Sequence, residues 1–269
     1  MGVENFDEAD AALEYRAPTS RDHKYSRGVL GFATGSVAYP GAALLGVDGA
    51  LSTGVGMVRY VGPADVTRPL LVRRPEAVLG NGPVSAWVIG SGMVDTDTES
   101  MDRATRALGE GKPTVVDAGA LGLLPRSGLI VATPHAGEMA KVFGVSREAV
   151  EASPAEYALL AASQWNATVV LKGSTTYIAN QHGDEFSVSL ATPWLAIAGA
   201  GDVLGGVIGS MLATRSADIA ADSRSLTRIA AAAVVIHSLA AQLASAGGPF
   251  LLDDLVGKIP AVIRQLLAR

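Results

Sequence analysis

Residues 28–54 read GVLGFATGSVAYPGAALLGVDGALSTG. Gly28–Thr34 has the short apolar run of a strand buried in a sheet. Gly35-Ser36 turns the chain, and Pro40 stands near the start of a helix running to Gly54, where its missing N–H costs nothing. The same strand–turn–helix order recurs along the chain. Strands are predicted at Met57–Val61, Leu70–Arg73, Ala86–Ile89, Thr114–Asp117, Leu129–Ala132 and Thr168–Leu171. Helices are predicted at Asp7–Glu14, Thr98–Gly109 (capped by Thr96 or Asp97), His135–Phe143 and Pro154–Trp165. Thr175–Ala179 and Glu185–Val188 read as a hairpin, and the remainder as helices over Asp202–Thr214, Ser225–Ala246 and Leu255–Leu267.

Strands alternating with helices argue for an α/β domain around a central, mainly parallel sheet. A polar lead-in over residues 1–27 and a single domain over 28–269 are expected. In such sheets ligands sit beyond the carboxyl ends of the strands. Gly35-Ser36, Gly90–Gly92, Asp117, Thr133–Glu138 and Lys172–Thr176 all fall there.

Composition narrows the function. With 49% hydrophobic and 17% charged residues among 269, the chain has the make-up of a globular protein with a sizeable core. A net charge of −5 disfavours binding to nucleic acid or to an anionic membrane. The absence of cysteine removes disulfides, thiolate metal sites and cysteine nucleophiles, and fits a reducing, cytoplasmic setting. Ile229–Ala246 nears the length of a membrane span, but it is built largely of alanine and carries His237, Ser238 and Gln242, so a buried core helix is expected.

Gly199-Ala200-Gly201-Asp202 stands just ahead of a helix-like run. Free N–H groups at a helix start attract anions, and glycines let a ligand come close. Asp202 there is either an ordinary helix cap or a base beside bound phosphate. Lys172-Gly173-Ser174-Thr175-Thr176 follows a buried-type strand and is either a polar turn or a phosphate cradle. His135 and Glu138, three apart at a helix start, share a face. With only four histidines in the chain a transition-metal site is disfavoured, and a polar contact from His135 to substrate is preferred. His237 is read as a satisfied core histidine. No GxGxxG follows the first strand, no GxSxG elbow is present, and the GxxxxGK[ST] spacing is missing.

In order, HKYSRGVLGFATGSVAYPGAALLG, VVDAGAL, ATPHAGEM, VVLKGSTTYI and AGAGDVLGGVIG resemble the NAD(P)H-hydrate dehydratases of the ribokinase-like superfamily, from about His23 onward. The resemblance implies a three-layer α/β/α fold and repair of damaged nicotinamide cofactor. (6S)-NADHX or NADPHX would be phosphorylated on its hydroxyl by ADP or ATP with Mg²⁺, and loss of phosphate would restore NADH or NADPH. By the same resemblance Asp202 is the base that deprotonates the hydroxyl. Ala42, Gly92 and His135 line the hydrate pocket with it. Lys172, Gly173, Ser174, Thr175 and Thr176 hold the nucleotide, Gly199 and Gly201 stand in the loop around its phosphates, and Glu138 organises Mg²⁺ through water. A homo-oligomer is implied, a tetramer as in relatives. The 27 lead-in residues are too few for the epimerase domain that many relatives carry.

The sequence departs from the family pattern in one loop. Ile197, Ala198 and Ala200 stand where a Thr, a Gly and a Thr are usual, so fewer hydroxyls face the phosphates. Gly119 replaces a common acid in VVDAGAL, and no catalytic role is assigned to that segment. The rivals are a ribokinase-like kinase for a small alcohol, such as a hydroxyethylthiazole or hydroxymethylpyrimidine, and a non-catalytic nucleotide-binding relative.

Overall fold

The computed structural model describes residues 2–94 and 96–269. Among them, ten strands form one sheet: β1 (Glu4–Asn5), β2 (Val29–Ala33), β3 (Met57–Tyr60), β4 (Val78–Leu79), β5 (Ala86–Ile89), β6 (Thr114–Val116), β7 (Ile130–Ala132), β8 (Thr168–Leu171), β9 (Thr176–Ala179) and β10 (Glu185–Val188). Their order across the sheet is β1-β10-β9-β8-β7-β6-β5-β2-β3-β4. Every neighbouring pair from β4 to β8 is parallel. The β9–β10 hairpin runs antiparallel beyond β8, and β1 completes that edge parallel to β10.

The helices are α1 (Glu8–Glu14), α2 (Pro40–Thr53), α3 (Ala64–Arg73), α4 (Thr98–Gly109), α5 (Ala136–Phe143), α6 (Arg147–Ala152), α7 (Pro154–Trp165), α8 (Ala200–Thr214), α9 (Ser216–Ala221), α10 (Ser225–Ser245) and α11 (Leu252–Leu267). They cover both faces, because successive strand residues point to opposite sides. Leu30, Val58, Val88, Val115, Val131 and Val170 pack under α2, α8, α10 and α11. Their neighbours Val29, Met57, Ile89, Val116, Ile130 and Val169 pack under α4, α5, α6 and α7. Two cores separated by one sheet make the three layers.

The position of α8 is set by a backbone-to-backbone crossing with α2. A side-chain carbon added at Gly206 would lie 1.9 Å from the Gly46 carbonyl oxygen, and one at Gly49 would lie 2.5 Å from that of Val203. Helix α10 is long and apolar enough to cross a membrane, yet 78% of its most apolar window is buried inside this fold.

Several expectations need correction. Leu70–Arg73 is not a strand but the end of α3. Val66 and Leu70, one turn apart, are buried together, while Arg73 and Arg74 reach the buried Asp48 of α2 at 2.6 and 2.5 Å. A four-residue apolar run carries too little periodicity to separate strand from helix. The lead-in is not outside the domain: β1 joins the sheet, and Phe6 is buried edge-on against Phe186 with ring centroids 5.2 Å apart. Glu14 accepts hydrogen bonds from Arg228 at 2.7 Å and Arg215 at 3.2 Å, which tie α1 to the helical layer. Asp97, rather than Thr96, caps α4. Helix α8 begins at Ala200, so Asp202 lies in its first turn and Gly199 (φ 91°) is the N-cap.

Candidate active site

The chain fills the sheet in two directions. After β2 it builds β3 and β4 on one side, then returns to place β5 on the other side of β2. The crevice at such a reversal is where open α/β sheets bind ligands. Here the turns after β2 and β5 meet: Gly35 N–H donates to the Ser91 carbonyl at 2.7 Å. A side-chain carbon on Gly92 would lie 2.5 Å from Ala42 Cβ and 3.2 Å from Gly35 Cα. Ala42 and Gly92, far apart in sequence, are thus one small-residue patch.

The next four strand ends carry a polar row. Ser91 follows β5, Asp117 follows β6, Thr133 follows β7 and Lys172 follows β8. The Asp117 carboxylate is only 4% exposed and accepts from Ser91 Oγ at 3.0 Å, Thr133 Oγ1 at 2.7 Å and Lys172 Nζ at 2.9 Å. Burial opposes its ionisation, but the adjacent ammonium and the two hydroxyls hold the carboxyl below its usual range. Burial likewise works against the Lys172 charge, and the carboxylates of Asp117, Glu138 and Asp202 outweigh it, so its pKa is raised. Asp117 is the residue that sequence reasoning passed over. Its signal was a strand ending on an acid, but its partners are named only by the strand order.

His135 and Lys172 are lateral neighbours, joined by a parallel bridge and by the Lys172 N–H donating to the Pro134 carbonyl at 2.9 Å. His135 caps α5: its Nδ1 accepts from the N–H groups of Gly137 (3.0 Å) and Glu138 (3.2 Å). Glu138 Oε2 returns the contact, accepting the His135 N–H at 2.8 Å. A ring accepting at Nδ1 can carry a proton on Nε2, and that nitrogen is 3.6 Å from Glu138 Oε2. Among the described residues no group of three or more metal-ligating side chains converges.

A cavity of about 570 Å³ opens between the start of α8, the loop before it and α10. Its walls include His135, Lys172, Gly173, Ser174, Thr176, Gly199 and Gly201. Thr175 is not on it; that hydroxyl pairs with Ser189 Oγ at 3.0 Å and faces a second cavity across the turn. Lys172 Nζ stands at the helix start, 3.3 Å from where a side chain on Gly201 would begin. Ile197, Ala198 and Ala200 make the loop wall apolar where hydroxyls were looked for. His237 lines the cavity too, and it is not a satisfied core histidine: Nε2 is buried without a hydrogen-bond partner among the described residues. Burial pushes its pKa down to about 4, so the ring is neutral near pH 7.

Asp202 follows the cavity-lining Gly201, and its Oδ2 is 3.8 Å from where a side chain on Gly199 would begin. Its backbone carbonyl is 3.5 Å from where a side chain on Gly46 would begin, one turn along α2 from Ala42. The first cause of its altered acidity is burial, the second the charge of Asp117; together, against the pull of Lys172, they push it up to about 6. A carboxylate with that pKa can take a proton near neutrality and hold it through a transfer. Helix N–H groups, an ammonium and a base are therefore gathered within one turn of α8.

A family model for NAD(P)H-hydrate dehydratases matches residues 30–260. The chain belongs to the NAD(P)H-hydrate dehydratase family. It is 32% identical over 273 residues to the ADP-dependent (S)-NAD(P)H-hydrate dehydratase of Xanthomonas campestris, covering 93% of this chain and 92% of that protein. It is 37% identical over 229 residues to the bifunctional NAD(P)H-hydrate repair enzyme of Mycobacterium tuberculosis, covering 79% of this chain and 46% of that one. The chain thus spans about half the length of the bifunctional relatives it matches. Among solved structures, the ADP/ATP-dependent NAD(P)H-hydrate dehydratase of Bacillus subtilis, co-crystallised with ATP and Mg²⁺, superposes with a TM-score of 0.88 at 28% identity over 99% of both chains. The ribokinase-like fold expected for the family is the fold observed.

Proposed function

We propose that this protein restores NADH and NADPH from their (6S)-hydrates by nucleotide-driven dehydration, with ADP or ATP as phosphoryl donor. The observation that carries the reading is Asp202 in the first turn of α8, next to the cavity-lining Gly201, with its Oδ2 3.8 Å from where a side chain on Gly199 would begin and its carboxyl raised to about 6. The nucleotide phosphates lie against the first N–H groups of α8 at Gly199–Gly201, with Lys172 and the Gly173–Ser174 turn on their other side. The 570 Å³ cavity takes the rest of the nucleotide, with Thr176 on its wall. The hydrated ring sits at Ala42 and Gly92, and His135 stands beside Lys172 on the wall of the nucleotide cavity.

Asp202 takes the proton of the hydrate hydroxyl. The hydroxyl oxygen attacks the terminal phosphorus, and the bond to the bridging oxygen breaks, releasing AMP from ADP or ADP from ATP. The ring C–O bond then breaks, phosphate leaves with the bonding pair, and water or the departing phosphate takes the proton from the adjacent ring carbon as the double bond re-forms. Lys172 offsets the charge gathering on the phosphates at each stage. Hard oxygen donors suit Mg²⁺; Glu138 would hold the ion through water, and the ion would supply neutralisation of phosphate charge. We take the protein as cytoplasmic and homo-oligomeric, a tetramer by family resemblance, which light scattering checks.

Incubation with ADP or ATP, Mg²⁺ and the hydrate, followed by the near-ultraviolet absorbance of the dihydronicotinamide ring, tests the function. Regeneration of NADH or NADPH is expected. Phosphorylation of a vitamin-precursor alcohol without that regeneration would instead make the protein a small-molecule kinase.

A further inference from the structure

The most deeply buried charge near the site, Asp117, reaches the cavity only through Lys172. Asp117 sits behind Lys172, 4% exposed, with three donors arranged on its carboxylate. Two of them, Ser91 and Thr133, are neutral hydroxyls that orient it, and the third is the ammonium. Lysine has a flexible four-carbon stem and would otherwise follow the strongest nearby charge. The groups around Lys172 are Asp117 at the end of β6, His135 and Glu138 at the start of α5, Asp202 on α8 and His237 on α10. Of the carboxylates, Asp202 is the one that has to stay available as a base.

We propose that Asp117 is a positioning residue for phosphoryl transfer: oriented by Ser91 and Thr133, it clamps the Lys172 ammonium beside the start of α8, facing the phosphates and withheld from Asp202. This rests on the dehydratase reading above. The clamp explains why a full ion pair is buried at four strand ends, although a buried pair contributes little to stability by itself. It also assigns a role to a segment whose usual second acid is replaced by Gly119.

The test compares wild type with Asp117→Asn. Released from its partner, Lys172 is expected to turn to Asp202, so ADP binding measured by calorimetry weakens about tenfold. The acid limb of kcat/KM also moves down, because Asp202 loses the repulsion of Asp117, so the ADP affinity is the reading that separates the clamp from a purely structural role. A purely structural Asp117 would lower Tm and total activity while leaving the Kd for ADP per folded molecule unchanged; that result overturns the proposal. Should Asp117→Asn not fold, Thr133→Val and Ser91→Ala keep the charge and loosen its orientation. Each is expected to weaken ADP binding about threefold, with Thr133→Ser restoring it, and unchanged affinity in both would equally overturn it. Failure of wild type to regenerate NADH would sink the dehydratase reading but leave the ADP-binding comparison standing.

Discussion

Asp202, the proposed base, owes its raised pKa to where it is buried. An exposed aspartate would be ionised but too weakly basic to hold the hydroxyl proton; burial and the charge of Asp117 raise this one to about 6. The sign is fixed by the role: above that value the carboxylate is free to accept a proton, and below it the base is already protonated. Turnover is therefore expected to fall as pH drops through about 6, close to tenfold per unit, in a pH series of kcat/KM. Asp202→Asn should cut turnover by about 10³-fold, while the Kd for ADP by calorimetry changes little, since the helix N–H groups and Lys172 remain. Asp202, Lys172 and His135 were legible as chemistry in the sequence because each stands after a strand or at a helix start. Asp117 was not, since its three partners come from three other strands. His237 misled for a related reason: an alanine-rich helix reads as core, and only the packed cavity shows a buried Nε2 with no hydrogen bond within normal distance among the described residues.

At the scale of elements, the site depends on how α8 is seated on α2. Gly206 and Gly49 let the two backbones touch, and no side chain fits at either contact. Gly206→Ala should push the helices apart, cost about 2 kcal/mol and lower Tm by about 4–8 °C in a thermal melt. It should also weaken ADP binding, because the start of α8 moves with its body. Most element boundaries followed from local chemistry, such as Pro40 at the start of α2 and Asp97 capping α4. The end of α3 did not: Leu70–Arg73 is helical because Asp48, 25 residues away in sequence from Arg73, draws that arginine in. Phe6 in the lead-in is held by Phe186 and Arg228 in the same long-range way.

At the scale of the molecule, the sheet order converts five separated motifs into one site. Ligand that binds only the folded state stabilises it by mass action, so ADP at 100 times its Kd should add about 2.7 kcal/mol. A melt should then rise by about 5–10 °C, and by a similar amount in Asp202→Asn. Loss of the shift in Lys172→Met would place the phosphates at the start of α8. By itself the sequence determined the α/β class, most strands and helices, and the candidate groups Asp202, Lys172 and His135, because these follow from periodicity, turn chemistry and motif spacing within a few residues. Only the tertiary structure decided that Ser91, Asp117, Thr133 and Lys172 lie side by side, that Thr175 faces away from the cavity at the start of α8, and that burial raises the Asp202 carboxyl to about 6. Adjacency across a parallel sheet, and burial of a carboxylate beside another charge, depend on crossovers that no local stretch of chain encodes.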